Sequence, residues 1–86
     1  MATEAYFYLD GRKVRVPMHP YEAPDLGWHL GVEYASPIYL ATGEYKYTEV
    51  AEWCKSTFDT HTYQMFTRSV WFLREQDALL CKLRWS

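Results

Sequence analysis

Eighty-six residues with a formal net charge of −2 can build one modest hydrophobic core and not two. That charge balance withholds the cationic excess that draws a protein to nucleic acid or to an anionic membrane, and the apolar runs are too short to cross a bilayer. Disorder along the whole chain is excluded by 49% hydrophobic residues against 23% charged, with only four Gly and four Pro.

The chain carries four Phe, four Trp and eight Tyr, sixteen aromatics in all. A small core holds many such rings, but tyrosine keeps its hydroxyl wet or paired, so some belong at the surface or in an interface. The first residues, Met1-Ala2-Thr3-Glu4, lack the basic-then-apolar order of a signal peptide. Cys54 and Cys81 are accordingly read as two free buried thiols in a cytoplasmic protein, in preference to the one disulfide they allow.

Residues 4–17 read as a β-hairpin. Tyr6 to Leu9 lead into Asp10-Gly11 and then Arg12 to Val16. Asp-Gly suits a type I′ turn, which needs positive φ at both central residues. Val14 and Val16 alternate with Lys13 and Arg15, giving one apolar and one basic face.

Residues 17–37 hold all four prolines (Pro17, Pro20, Pro24 and Pro37) with Gly27 and Gly31. They read as a Pro-rich acidic loop with one strand somewhere in 28–34. Between Val16 and Tyr45 there is no Lys or Arg, whereas Glu22, Asp25, Glu33 and Glu44 are acidic. A long loop of this kind is more often functional than average. The simpler alternative is an ordered connection that packs Tyr21 and Trp28 onto a sheet.

Residues 38–47 read as a short strand, a Gly43 turn and an extended entry to a helix over 48–58. Thr48 suits the N-cap, Glu49 and Glu52 suit the positive helix end, and Val50, Trp53, Cys54 and Phe58 fall at helical spacing. Two short strands, or one long strand with an irregularity near Arg68-Ser69, follow within 62–73. The final segment supports two readings. Leu79, Cys81, Leu83 and Trp85 alternate as in a strand, but Glu75 and Asp77 ahead of Ala and Leu, with Lys82 and Arg84 behind, favour a helix over 75–85. Leu79, Leu80 and Leu83 would form its apolar stripe.

These elements predict an α+β fold in a single domain spanning 1–86. A small antiparallel sheet, built from the N-terminal hairpin and the strands in 62–73, would carry both helices on one face.

Chemistry-bearing motifs are sparse. His19, His29 and His61 form no metal-ligand spacing with each other or with the cysteines, so no metal or cofactor is expected. Cys54 and His61 could be paired as a nucleophile and base, but Cys54 falls on the apolar helix face, where burial raises a thiol pKa. Glu49 and Glu52 need no role beyond matching the helix dipole. Arg12, Lys13, Arg15, Arg68, Arg74, Lys82 and Arg84 beside so many aromatics suggest single-strand binding, which the net charge disfavours.

The stretch Trp71-Phe72-Leu73-Arg74-Glu75-Gln76-Asp77-Ala78, closing on Lys82-Leu83-Arg84-Trp85, resembles the tail of many small bacteriophage accessory proteins. The resemblance covers roughly the last forty residues as a pattern of residue types, with Cys81 where Phe often stands. It implies a phage-encoded protein that binds and alters a host protein, and it assigns no functional residue. The resulting expectation is a non-enzymatic protein-binding module that inhibits a host protein bearing a basic surface. Trp28, Tyr34, Tyr39, Tyr45 and Tyr47 would make contact, with Glu22, Asp25, Glu33 and Glu44 steering. The alternative is a self-associating homodimer that buries the surplus aromatics against a second copy.

Overall fold

A computed structural model describes residues 5–33 and 46–85. The fold is α+β, with two small antiparallel sheets and two helices. Strands β1 (Ala5–Leu9) and β2 (Arg12–Val16) form the expected hairpin, with Tyr6 opposite Arg15 and Tyr8 opposite Lys13. Asp10 (φ 52°) and Gly11 (φ 77°) both take the left-handed backbone that a type I′ turn requires. Ala5, Phe7, Leu9, Val14 and Val16 are half-buried, and Tyr6, Tyr8, Lys13 and Arg15 face water.

The second sheet has three strands in the order β3 (His29–Glu33), β5 (Ser69–Phe72), β4 (Tyr63–Met65). It corrects the expectation of one sheet that includes the hairpin. Both edges of β5 are taken by β3 and β4, and the buried Pro17, which has no N–H to donate, ends β2 and turns the chain away. Strands β4 and β5 are two separate strands, reversing at Thr67-Arg68 with the Phe66 N–H donating to the Ser69 carbonyl at 2.8 Å.

Part of the expected 17–37 loop is ordered connection and strand. Pro20–Glu22 form one 3₁₀ turn, residues 23–27 turn again, and β3 follows within the expected window. Trp28 is the anchor of this segment. It is 3% exposed, and its indole N–H donates to the Arg15 carbonyl at 3.0 Å, tying the segment to the hairpin. Tyr21 is 75% exposed and stacks on His19, with ring centroids 5.1 Å apart.

Helix α1 (Lys46–Thr57) begins two residues earlier than expected, so Thr48 lies inside the first turn instead of capping it. Helix α2 (Glu75–Trp85) settles the ambiguity of the C-terminal segment in favour of helix, with Glu75 and Asp77 at its start and Lys82 and Arg84 at its end. Val50 and Cys54 of α1, Val70 and Phe72 of β5, and Ala78 and Cys81 of α2 form one core cluster. Val70 and Phe72 share a face of β5, so both helices cover the same side of the sheet.

Close approach of α2 depends on Gly31. It is the extra residue of a β-bulge between Leu30 and Val32, and it lies beneath α2 and Phe72. A Cβ there would come within 2.3 Å of the Phe72 ring and 3.1 Å of the Cys81 sulfur. Phe72 is fully buried and has nowhere to swing. Gly31→Ala should therefore destabilise the fold by about 1–3 kcal/mol through overpacking, read as a lowered urea midpoint at unchanged slope. A midpoint within error of the parent would show that the seam has slack.

Candidate functional site

An open groove of about 590 Å³ lies where the start of α1 meets the end of α2, lined among the described residues by Thr48, Glu49, Glu52, Trp53, Arg84 and Trp85. Glu49 and Glu52 stand three residues apart on α1, hence on one side of the helix, and Trp53 follows at i+4 from Glu49. Both carboxylates are exposed, and no ion pair holds either of them among the described residues.

The aromatic part of the groove is built across two helices. Trp53 and Trp85 meet edge-to-face, with centroids 6.1 Å apart and planes at 77°. Trp53 is backed by Phe58 at 5.3 Å, also edge-on, which fixes its ring against the core. The Arg84 guanidinium sits 4.5 Å from the Trp85 ring centre, a cation held over an indole face. The indole nitrogen of Trp85 is buried and has no hydrogen-bond partner among the described residues. A buried donor without an acceptor carries a desolvation cost.

This is an acidic, aromatic surface, and among the described residues its lining includes none of those expected from sequence. Trp28 is a core residue and cannot present a contact face, because burial and its bond to Arg15 consume both its ring and its N–H. Glu22 is half-buried and accepts a hydrogen bond from the Met18 backbone N–H, which makes it a local clamp. Asp25 and Glu33 are exposed, at a turn and at the end of β3. Tyr47 lies in the first turn of α1. Tyr34, Tyr39, Glu44 and Tyr45 lie outside the described residues. Sequence reasoning missed the groove because Trp53 read as ordinary helix core and Glu49 and Glu52 as dipole matching. The available signal was the carboxylate–carboxylate–indole run on one helix.

Three basic residues gather elsewhere. Arg12, Lys13 and Arg74 line a smaller hollow of about 260 Å³ together with Asp10. On the hairpin above, Tyr6 is 50% and Tyr8 66% exposed, the two meet at 90°, and the Lys13 ammonium covers Tyr6 at 4.2 Å. Stacked bases need open, roughly parallel ring faces, which this pair does not offer.

Among the described residues no group of His, Cys, Asp and Glu is placed to hold a metal ion, and no helix is long and apolar enough to cross a membrane. His61 is exposed and lies against Phe7, whereas Cys54 is fully buried. Comparison with protein families, with curated proteins and with solved structures finds no significant match.

Both thiols are free and buried. Burial pushes Cys54 from 9.0 up to about 12, with the neighbouring Cys81 adding to the rise, and burial pushes Cys81 up to about 11. Tyr63 is also raised from 10.0, by burial first and by Cys54 second. Below pH 9 the thiols are neutral whether the chain is folded or not, so they take nothing from stability. As pH climbs from 9 toward 11–12 the unfolded chain releases these protons and the folded chain keeps them, so stability falls. Each thiol should steepen that fall by about 1.4 kcal/mol per pH unit. Urea melts at about pH 8 and about pH 10.5 should show the loss, and C54A or C81A should flatten it. A slope unchanged from the parent in both variants would assign the alkaline loss to other groups.

Proposed function

We propose that this protein is a non-enzymatic binding module that takes a basic side chain of a partner protein into the groove between α1 and α2. The observation that carries this reading is the combination at one place of two indole rings and two exposed carboxylates. A Lys or Arg head prefers an aromatic face when it also finds a carboxylate within reach, and the groove already holds one guanidinium, that of Arg84, against Trp85. The resemblance of the C-terminal stretch to bacteriophage accessory proteins points to a host protein as the partner and to modulation of that protein as the role. Two unpaired thiols suit a reducing cytoplasm.

The test is a titration of tryptophan fluorescence with a short Arg- and Lys-containing peptide and with an acidic peptide of the same length. The basic peptide should change the emission and the acidic one should not. The double variant E49Q/E52Q keeps the side-chain shape and removes the charge, so it should weaken binding about two- to thirty-fold. The variant D25N/E33Q removes the same charge away from the groove and should leave the affinity unchanged. Equal weakening by both pairs would reduce the effect to net charge and sink the groove as a site.

A further inference from the structure

A different surface, the outer face of α2, carries an inference independent of the groove. At 3.6 residues per turn, Ala78 and Cys81 point into the core while Gln76, Leu79, Leu80 and Leu83 fall on the opposite side. The leucines are 50%, 46% and 84% exposed. Three leucines in a row on the solvent side of one short helix exceed the scattered apolar residues of an ordinary surface.

Opposite charges lie beside this stripe. Glu75 and Lys82 lie on one flank, seven residues and two turns apart, both exposed. When a helix packs antiparallel on an identical helix, each flank meets the same flank of the other copy in reverse order. Glu75 then faces Lys82 of the second copy, and Lys82 faces its Glu75. In that register Leu79 and Leu80 lie near the dyad and meet their own counterparts, and Leu83 falls toward the start of the second helix. A heterologous partner would need no such symmetry.

We propose that α2 is the interface of a symmetric homodimer, packed antiparallel on α2 of a second copy through Leu79, Leu80 and Leu83, with two reciprocal Glu75–Lys82 pairs. The face is two turns long, well below the roughly 800 Å² per partner of a standard stable interface, so the dimer dissociates on dilution.

Sedimentation velocity from low micromolar to near-millimolar protein tests this. The parent should shift from monomer to dimer with concentration. L83E changes a side chain that is mostly in water, so it should leave the far-UV spectrum intact and abolish the shift. E75K alone and K82E alone each set like charges against one another twice and should be monomeric. An equimolar mixture of the two restores both attractive pairs and should dimerise. A parent that stays monomeric throughout, a dimer indifferent to L83E, or a mixture that fails to associate would each overturn the proposal. The first of these would leave the leucines to a different protein.

Discussion

The contact on which this structure depends is the seam where α2 crosses Gly31. A hydrogen in place of a side chain lets Phe72 and Cys81 lie directly on the β3 backbone. That closeness selects small residues for the inner face of α2, Ala78 and Cys81, both essentially inaccessible. Bulky leucines on that face would hold the helix away from the sheet. They are therefore displaced to the outer side, and the apolar stripe of α2 follows from how tightly its other side is packed.

This displacement marks the limit of what was legible in the sequence. Periodicity showed that Leu79, Leu80 and Leu83 share a helical side, and the usual inference makes that side the core. The inference fails because periodicity weighs hydrophobicity and not the gap a glycine opens on a facing strand. Local signals did better. Asp10-Gly11 dictates its turn, acids before and bases after a run of Ala and Leu favour a helix over a strand, and Pro17 stops β2. The start of α1 was misplaced by two residues because Thr48 suits a cap and equally tolerates the first turn. Strand order lay out of reach, since nothing local tells β3 to travel to β5.

The proposed groove shares its acidic, aromatic character with the surface expected from sequence, but among the described residues it is lined by others. An acid-rich, base-free segment with tyrosines and a tryptophan suggested an acidic, aromatic face, but Trp28 and Glu22 are used to organise the segment itself. The groove instead draws Trp53 and Trp85 from opposite halves of one core. No inspection of either stretch by itself brings the two indoles together. Their edge-to-face contact is a tertiary product of both helices covering the same face of β5.

Sheets have backbone edges as well as faces, and the bulge at Gly31 bears on them. Among the described residues the outer strands of the three-stranded sheet are β3 and β4. A bulged strand twists and breaks the even row of N–H and C=O groups that an incoming strand would use as a template, and β4 is only three residues long. Neither edge offers a long, flat ladder for sheet extension. The residue that admits α2 also makes its strand a poor seed for cross-β growth.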